Sequence, residues 1–83
     1  RLMKAVGNEN RLMVLCALAD GPLSVSELLE RVDLSQSALS QHLAVLRREE
    51  LVSTRREAQS IYYSLSSSTA GKLVRFLSQT YCA

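Results

Sequence analysis

The stretch that decides the fold covers residues 24–50 and reads SVSELLERVDLSQSALSQHLAVLRREE. It holds two short helical patterns separated by a turn at residues 33–35. The first pattern opens on a capping box, in which Ser24 caps the backbone amide of Glu27 and the carboxylate of Glu27 reaches back. The second opens on the last residue of the turn, a serine, which is a residue type that caps helices well. Two helices joined in this way predict a helix-turn-helix at about residues 25–49.

The second of these helices has one apolar face and one polar face. Leucines recur at helical spacing on the face that we expect to be buried, at Leu39, Leu43 and Leu46. The other face of its first turn and a half carries amide and hydroxyl side chains, which can pair with base edges or phosphates in the major groove. These side chains are Gln36, Ser37, Ser40 and Gln41. We therefore predict a recognition helix that enters the major groove of double-stranded DNA.

Beyond this helix the apolar pattern changes to period two, which predicts a β-hairpin at about residues 51–65. Its turn is predicted at residues 57–59, and its inner face is predicted to carry Ile61, Tyr63 and Leu65. A hairpin directly after a recognition helix makes the fold a winged helix. Cationic and amide side chains in such a wing suit phosphates and the minor groove. The wing residues expected at DNA are Arg55, Arg56 and Gln59, with Arg47 and Arg48 at the end of the recognition helix.

Helical patterns also lie on both sides of this region. Residues 1–6 resemble the tail of a helix, and a second helix is predicted from Asn8 to the Gly21-Pro22 stop. Its buried stripe is predicted to be Leu12, Leu15, Cys16 and Ala19. A last helix is predicted at about residues 68–82. The expected fold is therefore mostly α with a small β-hairpin, in the order α-α-α-α-β-β-α, within a single domain at residues 1–83.

Composition narrows the class of protein. The chain has 83 residues, 47% of them hydrophobic and 22% charged, which suits one soluble globular domain. It has no apolar run of about 18 residues, so we expect no membrane partner. Because the chain starts at Arg1 without a signal pattern, we expect a cytoplasmic, nucleoid-associated protein cut from a slightly longer one. The sequence has one histidine, no glycine-rich phosphate loop and scattered carboxylates. We therefore predict that the chain is not an enzyme and that it has neither a catalytic residue nor a cofactor.

Residues 34–43, LSQSALSQHL, closely resemble the recognition-helix signature of the ArsR/SmtB family of bacterial winged-helix repressors. Four further segments resemble the other blocks of that family in order, so that the resemblance covers nearly the whole chain. They read NRLMVLC (residues 10–16), LSVSEL (residues 23–28), LV (residues 51–52) and QSIYYSL (residues 59–65). The resemblance implies a transcriptional regulator that binds a palindromic operator as a homodimer.

The same resemblance implies which helices form the dimer. Regulators of this family associate through their first and last helices, which correspond here to residues 1–6 and 68–82. The apolar residues expected in the interface are Leu2, Met3, Val6, Leu73, Phe76, Leu77 and Tyr81. Part of the stripe on the last helix also has the character of ordinary core within one chain.

Many members of the family sense metals, and the residues that would hold the metal are replaced here. One familiar site has cysteines in the segment at residues 23–28, where this chain has Ser24 and Ser26. Another uses carboxylates and histidines on the last helix, but residues 72–83 contain neither. We therefore predict no metal site, because two thiols alone make a poor transition-metal site. A metal or metalloid sensor with a two-thiolate site remains an alternative.

The two cysteines are Cys16 and Cys82. A cysteine on an apolar stripe is by itself usually a small core residue. The chain, however, resembles a branch of the family that has one cysteine in the second helix, one at the end of the last helix and no metal motif. That resemblance implies a thiol switch, in which reactive sulfur or an oxidant links the two residues and changes operator binding, and it implies regulation of virulence genes. A winged-helix protein-interaction module that never touches DNA is the other alternative.

Overall fold

The computed structural model describes residues 9–67 and 69–81, and within the last helix it describes the side chains of residues 72–77 and 79. The elements in chain order are α1 (Glu9–Leu18), β1 (Leu23–Ser24), α2 (Val25–Arg31), α3 (Gln36–Arg48), β2 (Val52–Glu57), β3 (Ser60–Leu65) and α4 (Thr69–Tyr81). The predicted winged helix-turn-helix, mostly α with a small hairpin, is confirmed. The helix predicted at residues 1–6 lies outside the described residues.

Side-chain caps begin both helices of the helix-turn-helix, as the sequence predicts. The amide of Glu27 donates to Ser24 Oγ over 3.2 Å, and the amide of Ser24 donates to Glu27 Oε1 over 2.9 Å. The amide of Ala38 donates to Ser35 Oγ over 3.1 Å. Each cap satisfies backbone donors that the first turn of a helix leaves without partners, which typically contributes about 1 kcal/mol. The caps therefore define where α2 and α3 begin.

The end of α3 is closed by the backbone alone. The amide of Leu51 donates to Leu46 O over 2.9 Å, and the amide of Glu50 donates to Arg47 O over 3.0 Å. This pair of bonds is a Schellman motif, whose C′ residue adopts the left-handed conformation. Glu50 occupies that position with a φ of 61°, where glycine is the usual residue. Leu46 and Leu51 are both fully buried beneath the motif.

The hairpin is part of a three-stranded antiparallel sheet in the order β1-β3-β2. Strand β1 pairs Leu23 with Tyr63 and Ser24 with Tyr62, which attaches the start of the helix-turn-helix to the central strand of the wing. The sequence did not predict this strand, since two residues are too few to show a period of two. The hairpin turn is also shorter than predicted, because Glu57 pairs with Ser60 inside the ladder.

The turn between β2 and β3 contains a residue in an unfavourable backbone conformation. Ala58 has a φ of 55°, a region that costs an L-residue free energy and costs glycine almost none. We expect Ala58→Gly to raise the free energy of unfolding by about 0.5–1 kcal/mol, measured by urea denaturation. The matched control is Ala44→Gly at an exposed position within α3, which we expect to lower stability by about 1 kcal/mol. Loss of stability in Ala58→Gly would contradict the assigned turn conformation.

The core lies between α1, α3 and the sheet, and α2 and α4 complete it. Its largest fully buried side chains are Leu15, Leu18, Leu28, Leu39, Leu43, Leu46, Leu51 and Val14. Burial of each such side chain contributes about 1.5–3 kcal/mol. The predicted leucine stripe of α3 is thus confirmed.

Two predictions about the apolar faces are wrong in part. Of the stripe predicted on α1, Leu15 is fully buried and Ala19 packs against the core, but Leu12 and Cys16 are only half-buried. The other buried residues of α1 are Val14 and Leu18, so the buried face is rotated away from Leu12 and Cys16. On the hairpin, Tyr63 packs against the core and Leu65 is buried, but Ile61 is 47% exposed. Ile61 lies near the tip of the wing, where the hairpin extends past the core that its inner face would cover.

No helix in the described part of the chain combines the length and the apolar character that crossing a membrane requires.

Candidate nucleic-acid interface

The exposed face of α3 is continuous and polar. Gln36, Ser37, Ser40 and Gln41 are all exposed, and Ala44, Arg47 and Arg48 continue the same face to the end of the helix. The three buried leucines occupy the opposite face, so the packing against the core fixes the rotation of the helix about its axis. The structure therefore brings all four predicted recognition residues together on one surface. Amide and hydroxyl groups arranged in this way can meet both base edges and phosphates.

The two arginines of the wing differ in the face of the hairpin on which they lie and in their ion pairs. Arg55 and Arg56 are both exposed, but they are neighbours in a strand and point to opposite faces of the hairpin. Arg55 Nη2 lies 2.7 Å from Glu57 Oε2, so its charge is partly compensated. Arg56 makes no ion pair or hydrogen bond to the described residues through its side chain. Gln59 is exposed in the turn at the tip of the wing.

The basic cluster spans the end of α3 and the wing. Arg47 and Arg48 are exposed on the last turn of α3, and the two wing arginines follow in β2. Glu49, Glu50 and Glu57 are interspersed with these cations and lower the net positive charge of the surface. The positive charge available to DNA phosphates is therefore local, within a chain whose net charge is only +2.

The residues considered for a metal site have other surroundings in the described part of the structure. Ser24, in the segment that the family resemblance associates with a metal site, forms the capping box with Glu27. His42 is half-buried on α3 beside the leucine face. Within residues 9–67 and 69–81, no group of three or more histidine, cysteine, aspartate or glutamate side chains is placed to hold a metal ion.

The last helix presents an apolar surface to solvent. Leu73 is 42% exposed and Phe76 is 66% exposed, and Leu77 beside them is half-buried. Val74 points the other way and is 3% exposed within the core. The side chain of Tyr81 and all of Leu2, Met3 and Val6, the other residues predicted for this surface, lie outside what the structure describes.

Cys16 lies on α1 and is half-buried. It is disulfide-bonded in this structure, and no free cysteine occurs in the described part of the chain. The sequence contains one other cysteine, Cys82, which lies outside the described residues.

Three features of the interface were not predicted from the sequence. One is the attachment of the wing to the helix-turn-helix through β1, which depends on long-range pairing. Another is the ion pair between Arg55 and Glu57. The sequence does contain a signal for this pair, because residues two positions apart in a strand lie on the same face. The third is Ser66, a buried serine that joins the end of the wing to the end of α3.

A capped helix-turn-helix with an exposed polar second helix, followed by an arginine-bearing wing, defines the winged helix-turn-helix class of DNA-binding regulators. Within that class the chain belongs to the arsR family of bacterial regulatory proteins, whose family model matches residues 8–54. The predicted family is thereby confirmed. The curated relatives are transcriptional regulators, which also confirms that this chain is not an enzyme.

Individual relatives match over nearly the whole chain. The transcriptional activator HlyU of Vibrio cholerae is 56% identical over 81 residues, which are 98% of this chain and 75% of that protein. The structure of reduced HlyU from Vibrio cholerae N16961 matches with a TM-score of 0.83 and 55% identity, covering 99% of this chain and 86% of the other. The structure of the transcriptional repressor BigR from Xylella fastidiosa matches with a TM-score of 0.91 and 40% identity, covering 98% of this chain and 80% of the other.

Proposed function

We propose that the chain binds a palindromic operator as a homodimer and that α3 of each protomer enters the major groove. The observation that carries this proposal is the unbroken exposed face formed by Gln36, Ser37, Ser40 and Gln41, opposite a buried leucine face. Gln41 and Gln36 can pair with the N6 and N7 edge of adenine, and the serines can serve bases or phosphates. HlyU is named a transcriptional activator and BigR a transcriptional repressor. The relatives therefore support a transcriptional regulator that either activates or represses. Following the branch of the family that the chain resembles, we include virulence genes among its proposed targets.

The wing contributes phosphate and minor-groove contacts in this proposal. Arg56 is the stronger of its two cations, since the charge of Arg55 already has Glu57 beside it at 2.7 Å. Gln59, at the tip of the wing, extends the contact between the wing and DNA along the duplex. Arg47 and Arg48 neutralise phosphates beside the end of α3.

These assignments predict a difference in salt dependence. For a dimer, Arg56→Gln removes one phosphate contact per protomer and is expected to lower the slope of log K against log salt by about 2. Arg55→Gln, the matched control in the adjacent position, is expected to lower it by less because Glu57 remains. Fluorescence anisotropy of a labelled duplex at four salt concentrations measures both slopes. Equal slopes for the two variants would contradict the roles given to the arginines.

The dimer is proposed to form through α4. Leu73, Phe76 and Leu77 offer an apolar surface that a single chain leaves exposed, and such a surface is typical of a protein interface. Leu2, Met3, Val6 and Tyr81 are proposed to complete it. Pairing two protomers in this way places two recognition helices on two half-sites, which a palindromic operator requires.

Operator binding is further proposed to respond to the thiol state of Cys16 and Cys82. With peroxide, the two thiols lose their hydrogens, one S–S bond forms, and the peroxide is reduced to two waters. With an inorganic polysulfide, the two thiols displace its terminal sulfur atoms, which leave as two hydrogen sulfide molecules with the thiol hydrogens, and the inner sulfur atoms bridge the two residues. The disulfide at Cys16 in this structure and the existence of HlyU in a reduced form support this proposal. Closing so long a loop contributes about 4 kcal/mol to fold stability in the chain-entropy model, and the bridge changes operator affinity only through its effect on the folded dimer, for which about 1–3 kcal/mol is typical of allosteric proteins.

The experiment that tests the proposal compares binding to duplexes of different sequence. The reduced protein is expected to bind one duplex far more tightly than a scrambled duplex, with strong salt dependence. Binding that depends on neither salt nor sequence would support a protein-interaction module instead. Stoichiometric uptake of zinc, copper(I) or arsenite in equilibrium dialysis, with a change in operator affinity, would support a metal or metalloid sensor.

A further inference from the structure

A buried serine joins the end of the wing to the end of the recognition helix. Ser66 directly follows β3 and is only 7% exposed. Its hydroxyl donates to Glu50 O over 2.6 Å, and its amide donates to Leu51 O over 3.0 Å. Ser66 therefore fastens the wing to the segment through which α3 leads into β2. We call residues 49–51 and 65–66 the helix–wing joint.

The backbone conformation at this joint is one that a glutamate adopts only at a cost. The φ of Glu50 is 61°, in the left-handed region, and such conformations persist where surrounding contacts hold them. Two of those contacts are the backbone bonds that close α3, from Glu50 to Arg47 and from Leu51 to Leu46. The hydroxyl of Ser66 adds a third contact from a separate element. Because few residues separate α3 from β2, the backbone at Glu50 sets the angle between helix and hairpin.

Side-chain packing does not fill the space beside the joint. An open groove of about 530 Å³ lies between the last turn of α3, the first half of β2 and the residues after β3. Arg47, Thr54 and Ser67 are among the residues that bound it. On this side of the hairpin, hydrogen bonds at the joint therefore supply the contacts that side-chain packing does not.

The last helix reaches the same joint through a cation. Arg75 Nη2 donates to Leu65 O over 3.2 Å, at the residue immediately before Ser66. Val74, its neighbour on α4, is buried in the core. A shift of α4 therefore acts on the end of β3 through the hydrogen bond of Arg75.

From these contacts we infer that Ser66 and Arg75 are positioning residues for DNA binding. Ser66 holds the wing at the angle that lets Arg56 and α3 contact one duplex together, and Arg75 transmits the position of α4 to that angle. The wing contact with DNA on which this inference draws belongs to the proposed function. The geometric part, the fixed angle between α3 and the wing, does not depend on it.

The first experiment measures that angle by amide residual dipolar couplings in the free, disulfide-bonded protein, the state in which the structure shows the joint. In the unmodified protein, a single alignment tensor is expected to fit the amides of α3 and of β2 and β3. Ser66→Ala is expected to require separate tensors for the helix and the hairpin, and Ser66→Thr, which keeps the hydroxyl, is expected to need only one. A single tensor for Ser66→Ala would overturn the inference.

The second experiment asks whether the angle matters at DNA. Ser66→Ala is expected to weaken operator binding by about 3- to 10-fold, the range of one lost hydrogen bond, at a temperature where circular dichroism shows it fully folded. When Arg56→Gln is added to Ser66→Ala, no further loss of operator affinity is expected. If Arg56→Gln lowers the affinity of Ser66→Ala as much as that of the unmodified protein, the positioning role is wrong. If Arg56→Gln has no effect in the unmodified protein either, the proposed wing contact has failed, and the dipolar couplings alone decide the inference.

The role of Arg75 is tested on α4 with a matched control. Arg75→Gln is expected to require separate tensors for α3 and the hairpin, with a smaller difference between them than in Ser66→Ala. In Arg75→Lys this difference is expected to be smaller than in Arg75→Gln. Lys72→Gln removes the same charge from an exposed position one turn earlier on the helix and is expected to leave the couplings unchanged. Equal couplings in Arg75→Gln and Lys72→Gln would overturn the role of Arg75. Because Arg75 is exposed, its variants are expected to fold even if those of Ser66 do not.

Discussion

Replacing Ser40 and Gln41 together with alanine is expected to weaken operator binding by at least about 30-fold. Each specific base contact contributes about 1–3 kcal/mol, and a homodimer loses it twice. Binding to a scrambled duplex is expected to stay the same, because phosphate contacts supply nearly all of that affinity. Both side chains are exposed on α3, so the stability of the fold is expected to change little. Anisotropy titrations with both duplexes measure the two affinities.

A matched double variant controls for the loss of polar surface. Ser53→Ala with Gln79→Ala also removes one serine and one glutamine side chain, both exposed but outside α3. It is expected to bind the operator with normal affinity. If Ser40→Ala with Gln41→Ala keeps both the affinity and the base preference of the unmodified protein, α3 does not read the bases as proposed.

Oxidation of the reduced protein is expected to weaken operator binding by about 5- to 150-fold, the range of a typical allosteric coupling. The physical reason is that a bond between Cys16 and Cys82 constrains α1 against the end of the chain, and so changes how the two recognition helices are held. Cys16→Ser and Cys82→Ser are each expected to bind the operator normally and to lose the response. Mass spectrometry after peroxide or polysulfide treatment identifies the bridge, and anisotropy measures the change in affinity.

Reversibility supplies the control for this prediction. Addition of a thiol reductant is expected to restore the affinity of the oxidised protein, which irreversible damage would prevent. A protein that remains unmodified and bound to its operator after treatment with each oxidant would show that the two thiols are not a switch. Loss of binding in both oxidised serine variants would assign the response to other residues.

Local signals in the sequence were sufficient to predict the recognition helix. Ser35 caps α3, and the leucines at 39, 43 and 46 determine which face is buried, so the polar face follows without any knowledge of the rest of the chain. The capping box at Ser24 and Glu27 was predictable for the same reason. Both signals act over three or four residues, which is the range that helical spacing makes visible.

Features that depend on distant residues could not be predicted in this way. Strand β1 exists because Leu23 and Ser24 meet Tyr63 and Tyr62, some forty positions later in the chain. Ile61 follows the alternation of a buried strand, yet the wing extends past the core at that point and exposes it. The left-handed Glu50 gives no signal in the sequence, because the usual glycine is absent from the end of α3.

The measurement that tests the central claim most directly is selection of duplexes from a random DNA pool by the reduced protein, repeated with the oxidised protein. The reduced protein is expected to enrich a palindrome whose half-sites are about one helical turn apart, as two α3 helices related by a twofold axis require. The oxidised protein is expected to enrich it weakly or not at all. A pool that remains random after selection by the fully reduced, folded protein would contradict the claim that this chain is an operator-reading dimer.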